Sequence, residues 1–320
     1  MRADNLFFFS RTTEGGRAVP IPNFLIIGVA KCGTTSLYHY LDQHPEIYMC
    51  PVKEPHFLVH DDAYPKRNGP IKSVDYIHTK TLSDYLKLFD GVTDEKAIGE
   101  ASTSNFTERA CDQASTYMPH ARLIAIFRHP IDQAYAEFLH RRRVGFEPER
   151  SFLTAYRASN WRLQHNWATH LCYKSRAYVP ILQYWLSRFP REQFRFYLTE
   201  DLQTDASSLM QDVFRFLEVD DSFKPDVSAR HNAAFSVRSR RLSHFYHTYS
   251  RTNPIRVFLR TVVPLNLKVR LKKRVDQWNR VPVEPVDPEI HSELTKELRD
   301  DILRLQSLIG RDLSHWLETA

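Results

Sequence analysis

The chain is poor in the features that mark exported, membrane-spanning or metal-stapled proteins. Among 320 residues there are four cysteines, Cys32, Cys50, Cys111 and Cys172, widely spaced and without a C-x-x-C pair. That argues against a disulfide framework or a zinc knuckle and fits a reducing compartment. Long apolar runs are missing: a stretch such as Phe24 to Ala30 falls far short of the roughly 20 residues needed to cross a bilayer, so no transmembrane segment is expected. Leu6 to Phe9 is too short for a signal-peptide core and is followed by Glu14-Gly15-Gly16-Arg17, so the expectation is a soluble, cytoplasmic protein. Metal-ligand spacing is absent too. His56 and His60 do not form H-E-x-x-H, and His39 and His44 fall off a common helix face, so no metal is expected. There is no internal repeat and no low-complexity tract.

What is present reads as a globular α/β chain. A hydrophobic content of 42% over this length can bury a sizeable core. A formal net charge of +6 favours anionic ligands without choosing between nucleic acid, a nucleotide and an acidic polymer. Strand-like and helix-like segments alternate through the first two thirds, the pattern of a parallel sheet flanked by helices. The spacing predicts strands at Phe24–Val29, Lys96–Gly99, Arg122–Phe127 and Phe194–Tyr197. Helices are predicted at Thr34–Gln43, Asn105–Tyr117, Ile131–Arg143, Tyr178–Phe189 and Ala206–Leu217. Beyond Asp220 the composition shifts. Arg251 to Arg274 carries eight Lys/Arg and no Asp or Glu, readable as a solvated basic face or as an anionic-partner surface. Pro282, Pro285 and Pro288 mark a linker, and Glu289 to Ile309 has helical apolar spacing closed by Gly310. The expected organisation is one domain over 1–320, with an α/β core at 20–235 and a helical extension at 236–320.

The run F-L-I-I-G-V-A-K-C-G-T-T-S-L, Phe24 to Leu37, passes from an apolar strand through a glycine-bounded loop into a helix. Such a turn leaves backbone N–H groups at the helix start, and the helix dipole adds partial positive charge, so together they make an anion site. Gly28 and Gly33 permit the turn and a close backbone approach, and the hydroxyls of Thr34, Thr35 and Ser36 can donate to phosphate oxygens. In the nucleoside-triphosphate loop G-x-x-x-x-G-K-[ST] the lysine follows the second glycine, whereas here Lys31 lies between Gly28 and Gly33. No strand ends in an obvious Mg²⁺-binding aspartate, which disfavours a P-loop kinase.

The loop G-V-A-K-C-G-T-T-S-L resembles the 5′-phosphosulfate loop of sulfotransferases that use 3′-phosphoadenosine 5′-phosphosulfate (PAPS), where the lysine sits between the glycines as Lys31 does. The likeness continues in order along the chain. Lys53-Glu54-Pro55-His56-Phe57-Leu58 is similar to the K-E-x-H-F-F element of the heparan-sulfate-type and related bacterial branch, and Gly99-Glu100-Ala101-Ser102 to its G-E-x-S/T turn. Phe127-Arg128-His129-Pro130-Ile131-Asp132-Gln133-Ala134-Tyr135 resembles the 3′-phosphate motif R-x-P-x-D-R-A-Y-S. Phe189-Pro190-Arg191-Glu192-Gln193, Glu200-Asp201-Leu202 and Gly310 to Leu317 are further matches.

The resemblance implies a P-loop-like central parallel sheet flanked by helices, with a helical C-terminal extension, and a PAPS-dependent transfer to a small-molecule or glycan acceptor, with no metal and no nucleic-acid partner. Lys31 would steady the leaving group, and Gly33, Thr34, Thr35, Ser36 and Cys32 would line the 5′ side. Glu54 is the first candidate for the base and His56 the alternative, since imidazole titrates near neutrality and a histidine serves in the cytosolic branch. Cys32, beside a helix N-terminus and a lysine, reads either as a thiol of lowered pKa or as a small loop residue. Arg128 would clamp the 3′-phosphate with its guanidinium fork. Two positions depart from the family: Ala136 stands where a serine shares that phosphate, and Gln133 replaces an arginine. Water or Tyr135 could substitute for the serine. Arg238 or Arg240 falls where the family has a loop closing over the nucleotide. Aromatic Asn160 to Tyr173 reads as acceptor cleft or as core. A non-catalytic nucleotide- or polyanion-binding protein is the alternative, and oligomeric state stays open.

Overall fold

The structure is a computed structural model that describes residues 11–14, 17–60, 67–71, 79–174, 178–229, 236–237, 274, 278 and 280–318. A hairpin of β1 (Arg11–Glu14) and β2 (Arg17–Pro20) precedes the central sheet. The sheet comprises β3 (Phe24–Gly28), β4 (Ile47–Met49), β5 (Ala97–Ala101), β6 (Arg122–Phe127) and β7 (Phe194–Leu198). Its order is β4-β5-β3-β6-β7, and every pairing is parallel. Parallel sheets are covered on both faces, which is why β3 and β5 are buried at every position; β3 reads as a continuous apolar run, whereas β5 carries the buried Glu100. Close packing leaves no room for a side chain on Gly99: a Cβ there would lie 2.2 Å from the Phe24 ring across the β3–β5 pair.

The helices are α1 (Thr34–Leu41), α2 (Leu82–Leu86), α3 (Glu108–Tyr117), α4 (Pro130–Arg143), α5 (Phe152–Arg157) and α6 (Ser159–Gln164). They continue with α7 (Tyr178–Leu186), α8 (Thr199–Thr204), α9 (Ala206–Leu217), α10 (Pro288–Glu297) and α11 (Arg299–Ile309). The expected α/β core is present, with differences of local cause. The helix expected from Asn105 begins at Glu108, because the Thr107 hydroxyl accepts from the Ala110 N–H and caps it, while Thr103–Asn105 form a separate 3₁₀ turn. The single C-terminal helix is two, divided at Leu298, which closes α10 and opens α11. Strand β4 was not expected, since three residues are too few to show a period. Two-residue strands at Ser236–Val237 (β8) and Arg280–Val281 (β9) pair antiparallel within the stretch expected to be helical.

The C-terminal helices share the core of the sheet domain. Ile302, Leu305, Ile309, Leu313 and Trp316 are buried in the same apolar cluster as β3, β6 and β7. Two of the resemblance motifs meet here: Arg311 forms a two-pronged ion pair with Asp201 at 2.8 and 2.9 Å, and the Trp316 indole N–H donates to Glu200 at 2.8 Å. The Arg–carboxylate fork fixes geometry as well as adding energy, so the chain's last described segment is locked to the end of β7. Among the described residues no helix is long and apolar enough to cross a membrane.

Candidate active site

The parallel sheet directs the ends of β3, β4, β5, β6 and β7 to one edge, and ligands of open α/β sheets bind outside those ends. Every described motif residue of the resemblance's donor and base sets lies there. The loop after β3 turns through Lys31, whose φ is +68°, to Gly33 at +108°. A Cβ on Gly33 would lie 2.7 Å from Leu202 Cδ1, so this position needs glycine for both its backbone and its neighbour. Gly33 caps α1 without any side-chain acceptor, which leaves the helix start as an electropositive end with the hydroxyls of buried Thr34, half-buried Thr35 and buried Ser36 beside it.

The loop is held from two sides. Gln133 on α4 donates to the Ala30 carbonyl at 3.0 Å, and the Thr199 hydroxyl, at the end of β7, lies 2.9 Å from the Cys32 carbonyl and 3.1 Å from that of Phe127. Cys32 is fully buried: its N–H donates to the Val29 carbonyl and its thiol faces the Ala30 carbonyl at 3.6 Å. Both contacts lie within the loop itself.

Glu54 and His56 enter through the segment after β4. That segment is pinned to β5 by Cys50 N–H to Gly99 at 2.8 Å and Glu54 N–H to Ala101 at 3.1 Å. Both residues are left-handed, at φ +61° and +60°. Non-glycine residues rarely take this region, and such strain persists only where surrounding contacts over-determine it. Among the described residues five non-glycine positions have positive φ, and Lys31, Glu54 and His56 are three of them, so the strain falls on the candidate site residues. A single 3₁₀ turn, Thr103–Asn105, supports both acids and bases of this corner. The Thr103 hydroxyl lies 3.3 Å from Glu54 Oε1, Ser104 Oγ pairs with His56 Nδ1 at 2.8 Å, and the Asn105 amide donates to Glu100 at 2.6 Å. Lys53 Nζ is 2.9 Å from Glu54 Oε1, and His56 Nε2 is 3.9 Å from Glu54 Oε2. Glu54 keeps a third of its side chain exposed, against 9% for His56. The carboxylate is therefore the group open to an incoming acceptor, with the imidazole behind it.

Two features of this corner were not legible in sequence. Burial lowers the Lys31 pKa; the Glu137 carboxylate opposes that, Arg143 and Arg141 add to it, and Glu54 opposes it. Those α4 neighbours lie more than a hundred residues away in the chain, and so does His140, which burial and Lys31 hold near a pKa of about 3 while Arg143 donates to its Nδ1 at 2.8 Å. Glu100, 1% exposed on β5, is pushed up to about 7 by burial despite the Asn105 hydrogen bond.

Arg128 leaves the end of β6 with 30% of its side chain exposed, and its Nη2 is 3.8 Å from Asp132 Oδ2. Ala136 is buried on α4, and the ring of half-buried Tyr135 packs toward Phe138 and Phe152 at the edge of an apolar cluster. Arg238 and Arg240 lie outside the described residues, as does the basic stretch 251–273. The aromatic segment divides: Tyr173 is core and donates to buried Glu147 at 2.6 Å, Trp167 is half-buried with Arg162 4.9 Å over its ring, and Trp161 is half exposed. His129, Asp132 and His291 come close enough together to be considered as metal ligands. However, His129 Nδ1 accepts the Ile131 N–H at 3.3 Å and its Nε2 faces the Trp316 carbonyl at 3.1 Å, so its lone pair is already taken.

A family model described as "Sulfotransferase domain" matches residues 22–256, well over half of the chain. The chain belongs to the sulfotransferase family. A bacterial sulfotransferase from Alicyclobacillus acidocaldarius, known from a crystal structure, is 29% identical with a TM-score of 0.70, over 94% of this chain and 100% of that one. Human carbohydrate sulfotransferase 15 is 27% identical, over 62% of this chain and 44% of the relative. Human bifunctional heparan sulfate N-deacetylase/N-sulfotransferase 3 is 26% identical, over 62% of this chain and 22% of the relative. The chain thus spans less than half the length of these curated relatives. The matched range, residues 22–256, takes in the five-stranded parallel sheet and the loops of this sulfotransferase that carry Lys31, Glu54 and Arg128.

Proposed function

We propose that the protein transfers the sulfuryl group of PAPS to a hydroxyl of a carbohydrate acceptor by in-line displacement. The observation that carries this reading is the convergence of Lys31, the uncapped start of α1 and Glu54 at the carboxyl ends of parallel strands. The acceptor oxygen attacks sulfur and an S–O bond forms. The bond from sulfur to the bridging oxygen breaks, and its electron pair stays on the 5′-phosphate of the departing adenosine 3′,5′-bisphosphate. Lys31 and the α1 N–H groups lie where that charge develops, and preorganised positive groups in a water-poor loop are worth more there than in water. The acceptor proton passes to Glu54, the more exposed of the two base candidates, while His56 and Thr103 fix its orientation.

Arg128, at the end of β6, takes the 3′-phosphate. The carbohydrate acceptor is supported by the relatives named for carbohydrate and heparan sulfate; an amine acceptor is the other outcome to look for. A cytoplasmic location and a single domain over the whole chain remain part of this proposal. The test is to incubate the protein with PAPS and a panel of desulfated glycans, and to measure bisphosphate release against sulfated product. One bisphosphate per sulfated product, persisting in EDTA and absent in Glu54→Gln, supports the reading. Mg²⁺-dependent turnover of ATP, or tight heparin binding with no affinity for the bisphosphate, would replace it with a kinase or with a non-catalytic polyanion binder.

A further inference from the structure

The 3′-phosphate corner lacks two groups that its own motif leads one to expect, since Gln133 is turned to the Ala30 carbonyl and Ala136 has no donor. A residue of the C-terminal extension reaches the start of the same helix. Helix α10 is capped by Asp287, which accepts from the N–H groups of Glu289 and Ile290. The helix docks on α4 through Leu294, fully buried in the cluster of Ile131, Ala134 and Phe138. Residues three and four apart share a helix face, so His291, Leu294 and Thr295 all point at the start of α4. There His291 Nε2 is 3.5 Å from Asp132 Oδ1, its ring stacks 4.5 Å from His129, and Thr295 Oγ1 is 3.5 Å from its Nδ1.

Asp132 therefore divides its two oxygens between two basic side chains: Oδ1 faces His291 and Oδ2 faces Arg128 at 3.8 Å. Burial raises the Asp132 pKa, but His291 and Arg128 more than offset it and hold the carboxyl below its ordinary range. An aspartate shared in this way orients a guanidinium without neutralising it. With His291 gone, Arg128 is the remaining basic partner of the carboxylate among the described residues, and the carboxylate competes directly with the ligand phosphate for it.

We propose that His291 is a positioning residue of the 3′-phosphate site, holding Asp132 so that Arg128 remains available to the phosphate. The inference rests on the nucleotide reading above. Calorimetric titration of the full chain with adenosine 3′,5′-bisphosphate and with adenosine 5′-phosphate, which lacks the 3′-phosphate, tests it. His291→Ala should weaken the bisphosphate about ten-fold, the size of one charge-assisted hydrogen bond, and leave the monophosphate within about two-fold. His291→Gln keeps an N–H donor at similar reach and should stay within about three-fold of wild type for both; its intact binding also shows that the corner folds. In an Asp132→Asn background the carboxylate is gone, so His291→Ala should add less than about two-fold, the signature of coupling in a double-mutant cycle. Equal losses for both nucleotides, or the same ten-fold loss in the Asp132→Asn background, would overturn the proposal while leaving the nucleotide reading intact. Failure of the wild type to bind the bisphosphate would overturn both.

Discussion

The two ends of the donor site are built on different principles. At the sulfuryl end, Lys31, Glu54 and His56 occupy left-handed backbone positions and are over-determined by neighbours: Thr199 and Gln133 hold the loop, and the Thr103–Asn105 turn holds the acids and the imidazole. At the 3′-phosphate end the motif is thinned, and Arg128 is half-exposed beside an aspartate that a C-terminal histidine shares. The lesson is one of division of labour. On the proposed reading, strain and rigidity are concentrated where charge would develop, and nucleotide grip would be spread over elements distant in sequence.

The largest expected effect strikes the sulfuryl end. Lys31→Ala should lower transfer by about a thousand-fold or more with little change in the folded state, as for loss of a preorganised group at a developing oxyanion. Glu54→Gln should cost about 10² to 10⁴ in kcat, the usual worth of a positioned base. Initial rates at saturating PAPS, with circular dichroism to confirm folding, check both. A Glu54→Gln protein of full activity would pass the base role to His56 and weaken the contrast between the two ends.

The next effect sharpens what lies behind Glu54. Glu100 is buried with a pKa raised to about 7, so between about pH 4.5 and 7 the folded state holds a proton that the unfolded chain has released. Stability from this group therefore falls as pH rises through that window, by up to about 3 kcal/mol, and levels off above it. Denaturant titrations at pH 5 and pH 8 should show Glu100→Gln losing less stability than wild type over the interval. Parallel losses in the two proteins would mean that Glu100 is ionised throughout.

The smallest effect concerns the thinned end. Ala136→Ser restores a hydroxyl beside the 3′-phosphate and should tighten the bisphosphate by about ten-fold, from a hydrogen bond to a charged group, while leaving adenosine 5′-phosphate unchanged. Calorimetry with both ligands distinguishes this from a general effect on the pocket. No gain would show that the phosphate sits away from this turn of α4.

Much of this was legible in the sequence. The strand-loop-helix run around Lys31, the alternation of strands and helices and the ordered motifs announced the fold, because parallel strands buried on both faces leave unbroken apolar runs. Position was harder to read than identity. Glu137, Arg143 and Arg141 act on Lys31 only because α4 passes over the loop, and His291 reaches Asp132 only because Leu294 docks α10 on α4. No local pattern encodes such pairings. The break at Leu298 and the three-residue β4 were missed for a simpler reason, since neither disturbs the period of its surroundings enough to be seen.

The central claim is that the loop carrying Lys31 binds the bisphosphate half of a sulfuryl donor. It is tested most directly by titrating adenosine 3′,5′-bisphosphate into the wild-type protein and into Lys31→Ala with Arg128→Ala as a second control. The account predicts saturable binding at one site per chain, weakened in both variants and indifferent to EDTA. No binding to the wild type, or equal binding to all three proteins, would contradict it.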